Sequence, residues 1–153
     1  MVDKEARTKM AELIRQLIAG KITNDEFEDS IPQTKDRAVF EVFFSGLWGI
    51  YTDLKECRLV GADAVPKESR PVIARYILFL KSDHEYEWPI TSFFPYMLWM
   101  LAALLTLGWS NRIYQRRFST HGDVTVWPFI RQNDYQKALE NPPYFKGSIT
   151  SHQ

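Results

Sequence analysis

The stretch SDHEYEWP, residues 82–89, gathers the side chains best suited to chemistry: Asp83, His84, Glu85, Tyr86, Glu87 and Trp88. In an extended backbone, alternation puts Asp83, Glu85 and Glu87 on one face and His84, Tyr86 and Trp88 on the other. In a helix, Asp83 shares a face with Glu87, and His84 with Trp88. Either arrangement offers carboxylates to a divalent cation or to a basic partner, since hard cations take oxygen ligands and zinc also takes imidazole. One histidine among scattered acids lacks a diagnostic ligand spacing. The stretch therefore reads as an acidic and aromatic partner-binding surface, with no metal and no cofactor assigned. His121 and Asp123 form a second thin acid–base pair, with no third ligand or nucleophile nearby in sequence. Cys57 and a distant His84 or His121 are a formal nucleophile–base pair, but a thiol at the end of an apolar helical stripe reads as buried and inert.

Other chemistries are disfavoured by pattern. The sequence contains no glycine-rich phosphate loop, no G-x-S-x-G elbow, no H-E-x-x-H and no Cys/His finger. The single Cys57 excludes an internal disulfide and points to a reducing compartment. Lys plus Arg and Asp plus Glu number 19 each, and zero net charge argues against generic nucleic-acid binding. Aromatic residues make up 14% of the chain, which favours a packed core or an adhesive interface. MVDKEARTKM has no apolar region of the kind a cleavable signal peptide needs.

The elements that must carry these residues are helical in pattern. Residues 4–19 repeat Ala6, Met10, Leu13, Ile14, Leu17 and Ile18 at helical spacing, with Lys4, Glu5, Arg7, Glu12 and Arg15 largely opposite. Asp3 caps the start and Gly20 the end. Thr23 and Glu26 form a capping box for a short second helix that Pro32 ends. Residues 35–57 read as a long helix with a stripe of Phe40, Phe43, Phe44, Leu47, Tyr51 and Leu54. Gly46 and Gly49 leave space on it for a close neighbour. A strand at Val39–Phe44 is the competing reading there. Residues 66–82 form another helix, beginning at Pro66 or, with Ser69 as cap, at Pro71. Residues 124–127 suggest a short extended segment. Residues 131–140 suggest a last helix capped by Asn133. Residues 141–153 read as an irregular tail.

Within the first two elements, LIRQLIAGKITNDEFE, residues 13–28, resembles the SHOCT motif, a short two-helix segment found mostly at protein C-termini. The Leu/Ile helix, Gly20, Ile22-Thr23 and Glu26-Phe27 carry the resemblance. It implies an oligomerisation or interaction role rather than a reaction. Its position near the start of this sequence departs from the usual placement, and the remaining residues resemble no family.

The longest apolar run is ITSFFPYMLWMLAALLTLGW, residues 90–109. It has the length of a transmembrane helix, with Trp88 and Trp109 at its ends. Its strongly apolar part, Met97–Leu107, is short enough for a buried central helix. Arg112, Arg116 and Arg117 follow, placed to contact lipid phosphates or an acidic partner such as the Asp83–Glu87 stretch.

The sequence thus predicts a mainly α single domain over residues 1–140, with five to six helices around a central apolar helix. The leading functional expectation is a cytoplasmic, non-enzymatic protein-binding module of the immunity, inhibitor or accessory-subunit type. A homo-oligomer is compatible with it. One alternative is an accessory protein inserted in a membrane through residues 90–109, either at the inner face or as a single span. The other is a metal-dependent hydrolase using Asp83, His84, Glu87, His121 or Asp123.

Overall fold

The N-terminal half is built on local signals that the backbone obeys closely. In the computed structural model, which describes residues 1–51, 54–89 and 121–142, helix α1 runs Lys4–Ile18. The Asp3 side chain accepts the Ala6 N–H and caps it. At the other end Gly20 takes φ +65°, while the Lys21 and Gly20 N–H groups bond the Gln16 and Leu17 carbonyls. This is a Schellman termination, which uses the left-handed conformation glycine adopts without strain. A Cβ on Gly20 would also overlap the Val60 side chain. Helix α2, Asn24–Asp29, starts with the expected capping box: Thr23 Oγ1 accepts the Glu26 N–H, and Glu26 accepts the Thr23 N–H.

Helix α3, Arg37–Glu41, continues into a π-helical turn, Val42–Leu47, and a 3₁₀ turn, Trp48–Ile50. The long helix expected over residues 35–57 therefore ends early, and Tyr51 is extended. Packing explains the break. A Cβ on Gly46 would lie 2.8 Å from Tyr76 Cε2 and 3.1 Å from Trp127 Cζ3. The backbone approaches these two rings at its irregular turn, as bulged helices do where a neighbour intrudes. Gly49 meets nothing within 4 Å. The expected aromatic stripe also divides. Val39, Val42 and Leu47 are buried, but Phe40, Phe44 and Trp48 are 60%, 52% and 41% exposed, and Leu54 is 95% exposed.

Helix α4, Arg70–Leu80, follows a 3₁₀ turn at Lys67–Ser69, with Pro71 in its first turn. It is the central helix of the described residues, burying Ile73, Tyr76, Ile77, Leu78, Phe79 and Leu80. Its core partners on α1 include Met10, Ile14 and Leu17. The segment expected to be extended at 124–127 is instead a 3₁₀ turn, Val124–Val126. Asp123 holds it by accepting both the N–H and the hydroxyl of Thr125, and no neighbouring strand is present among the described residues to reward the β-prone valines. Helix α5, Gln132–Glu140, starts one residue before the expected cap: Arg131 is the N-cap, and its carbonyl accepts from Asp134 and Tyr135.

The fold is thus mainly helical, a small single domain with no strand among the described residues. Among those residues no helix is long and apolar enough to cross a membrane. The proposed central helix at 90–109, the Arg112, Arg116 and Arg117 cluster, and the tail from residue 143 lie outside the described residues.

Candidate functional site

Residues 82–89 run from the end of α4 without regular structure, and they obey the extended alternation in part. Tyr86 and Trp88 are buried, at 9% and 0% exposure, while Glu85 and Glu87 face solvent. His84 breaks the alternation and is exposed. The two aromatic residues expected to meet a partner are core residues instead. Large rings gain most by leaving water, and each here finds a partner for its polar atom. The Trp88 indole N–H donates to the Pro128 carbonyl at 3.0 Å, and the Trp127 indole N–H donates to the Tyr86 hydroxyl at 3.1 Å.

Two arginines hold this segment in place. Arg7 donates to the Ser82 and His84 carbonyls at 3.2 and 2.7 Å. Arg37 donates to the Trp88 carbonyl at 2.9 Å and lies over the Tyr86 ring at 5.3 Å. Arg7 was expected on the solvent side of α1, yet it is 1% exposed and pairs with Asp36. Burial by itself raises the Asp36 pKa, but the Arg7 hydrogen bonds, the Asp3 and Ala38 N–H groups and the Arg7 charge together hold it below its usual value.

The acids left outside are partly matched on the same surface. Asp83 pairs with Lys4 at 2.7 Å, and this hydrogen bond lowers its pKa. Glu85 lies 3.1 Å from the Met1 amine. Both pairs are exposed, so they contribute little to stability and yield readily to a competing cation.

Beside these acids is a shallow recess with a cavity volume of about 70 Å³. Phe79 and Phe129 contribute aromatic surface, and His84, Glu85, Glu87, Arg131 and Asp134 supply its polar rim. His84 stands edge-on to Phe129, with ring centroids 5.7 Å apart. A pocket for a metabolite is typically about 300–1,000 Å³. This recess has room for part of one side chain. Among the described residues no group of three or more His, Cys, Asp and Glu side chains is placed to hold a metal ion. His121 and Asp123 are exposed on the turn before α5, and Asp123 is engaged by Thr125. Cys57 is half-buried in the loop tied to Asn24, whose side-chain oxygen accepts the Cys57 N–H at 2.6 Å.

Sequence reasoning missed Arg131 and Asp134 as rim residues. Both sit about fifty positions from Glu85, and only the packing of α5 beside α4 brings them to it. Comparison with protein-family models, curated proteins and solved structures finds no match.

Proposed function

We propose that this chain is a non-catalytic protein-binding module whose contact surface is the acidic recess at Glu85, Glu87 and Asp134, and that it accepts a lysine or arginine side chain of a partner protein. The carrying observation is the recess itself: the carboxylates of Glu85, Glu87 and Asp134, with His84 and Arg131, rim a volume of about 70 Å³ floored by the buried Phe79 and Phe129. A cation entering there gains charge pairing with the carboxylates of the rim. The platform is rigid because Arg7 and Arg37 bind its backbone and Tyr86 and Trp88 anchor it in the core. A rigid platform loses little entropy on binding.

The resemblance of residues 13–28 to the SHOCT motif supports an interaction role of the same general kind. Its apolar residues Leu13, Ile14, Leu17 and Phe27 pack into this chain's own core, so the recess is the better-supported contact.

The test is a titration of isotope-labelled protein with a Lys/Arg-rich peptide, followed by amide chemical shifts. The expected result is shifts confined to residues 79–87 and 129–134, weakened by salt and lost in a Glu87→Lys, Asp134→Lys double variant that still folds. Shifts that survive the double variant, or none at millimolar peptide, would overturn the proposal.

A further inference from the structure

The rim of the recess holds the carboxylates of Glu85, Glu87 and Asp134, the guanidinium of Arg131 and the imidazole of His84. Carboxylates and guanidinium groups ordinarily keep their charge near neutral pH, whereas histidine is the side chain that changes charge between about pH 5 and 8. With a neutral imidazole, the rim sets three negative charges against one positive charge. A proton on His84 doubles the positive side, and the attraction for an incoming cation falls.

The backbone fixes His84 at this place. Its N–H donates to Ser82 Oγ at 3.4 Å, and its carbonyl accepts from Arg7 at 2.7 Å. Arg7 is itself buried and paired with Asp36. The imidazole stands at 75° to the ring of Phe129, a core residue, with centroids 5.7 Å apart. The ring therefore borders the same volume as the three carboxylates.

The charges around the imidazole come from four directions. Its own segment supplies Asp83, Glu85 and Glu87. From α1 come Arg7 and Lys4, the latter paired with Asp83 at 2.7 Å, and the Met1 amine lies 3.1 Å from Glu85. Asp134 of α5 and Arg131, its N-cap, complete the rim. Helix α4 contributes the uncharged Phe79, while Lys81 beyond its end turns to Thr8. A recess of about 70 Å³ is narrower than the screening length of about 8 Å at physiological salt, so a charge gained at His84 is felt across it.

We infer that His84 is a pH gate on the recess, which holds the partner's lysine or arginine while the imidazole is neutral and releases it when the imidazole is protonated. The inference rests on the reading of the recess as a cation-binding surface. By linkage, a bound cation must in turn make His84 harder to protonate.

The experiment measures binding of an oligolysine peptide at about pH 7 and about pH 5.5, below the range where α-amino groups and lysines lose their proton and above that of ordinary carboxylates. Wild type, His84→Gln and His84→Arg are compared, each first shown to unfold cooperatively. Wild-type affinity is expected to fall about three- to tenfold on acidification, the effect of one added charge at several ångströms in a solvated rim. His84→Gln should bind at both pH values as wild type does at the higher one, and His84→Arg should bind weakly at both. In the wild type, saturating peptide should lower the midpoint of the His84 ring-proton titration followed by NMR. An acid loss of affinity that persists in His84→Gln, or a ring titration that peptide leaves unmoved, would overturn the gate. So would wild-type binding of equal strength at both pH values, which leaves the recess itself standing as the contact. Absence of binding at either pH in all three proteins would overturn the recess as a cation site, and the gate with it.

Discussion

Arg7 and Asp36 form a buried two-pronged ion pair, with Nε donating to Oδ2 at 2.5 Å and Nη2 donating to Oδ1 at 3.1 Å. The pair joins α1 to the start of α3, because Asp36 is also the N-cap that accepts the Ala38 N–H. Through its remaining nitrogen Arg7 reaches the backbone of residues 82 and 84, so one side chain ties the proposed binding segment to two helices.

Removing Arg7 leaves the buried Asp36 carboxylate with only the Asp3 and Ala38 N–H donors and no counter-charge, and takes the guanidinium donor from the Ser82 and His84 carbonyls. Arg7→Met is expected to cost about 3–5 kcal/mol, the usual range for breaking one half of a buried pair. Arg7→Lys keeps the charge but loses the planar fork, and about 1–3 kcal/mol is expected. Urea denaturation of the three proteins checks the order. Arg7→Met within about 0.5 kcal/mol of wild type would show that the pair is dispensable.

Acid should unfold the protein through the same site. The Asp36 pKa is lowered in the folded state, as is that of Asp3, whose carboxyl accepts from Ala6 and Thr34. A lowered folded pKa contributes stability that is complete above the unfolded value, near pH 4, and is lost as pH falls through the folded value. Asp36→Asn is expected to be less stable at pH 7 and to show a shallower decline below about pH 4. Parallel acid limbs for wild type and variant would contradict this assignment.

Gly46 and Gly49 make a paired test of the irregular end of α3. A Cβ at position 46 meets Tyr76 and Trp127, and both rings must move. Gly46→Ala is expected to cost about 1–3 kcal/mol by overpacking. Gly49→Ala enters open space and should leave stability unchanged or slightly raised, because alanine restricts the unfolded chain. Thermal melts of the two variants should move apart; coincident melts would mean that the rings do not pack at Gly46.

Trp88 connects the binding segment to the C-terminal part of the fold. Trp88→Phe keeps a ring in the core but leaves the buried Pro128 carbonyl without the indole donor. The expected loss is about 1–3 kcal/mol. Hydrogen exchange should rise in residues 121–131 more than in α1. Uniform exchange changes along the chain would place the effect elsewhere.

Some of this architecture was legible because it is written in neighbours. The Asp3 cap, the Gly20 termination, the Thr23–Glu26 box and the helical period of α1 and α4 are interactions over a few residues, and each recurs in the structure. The inward turn of Tyr86 and Trp88 was half legible, since alternation put them on one face without saying whether that face was wet or dry.

What the sequence determined by itself is a mainly helical domain with well-marked ends to its first helices and an acidic segment after α4. Those features follow from local backbone hydrogen bonding and periodic apolarity, which need no knowledge of distant partners. Tertiary structure alone decided that Arg7 is buried, that Phe40, Phe44 and Trp48 stay exposed while Val39, Val42 and Leu47 are covered, and that Asp134 joins Glu85 and Glu87 at one rim. Burial depends on which faces of α1, α3 and α4 meet. That choice is made by the summed packing and desolvation of residues far apart in the chain, and no single window contains it.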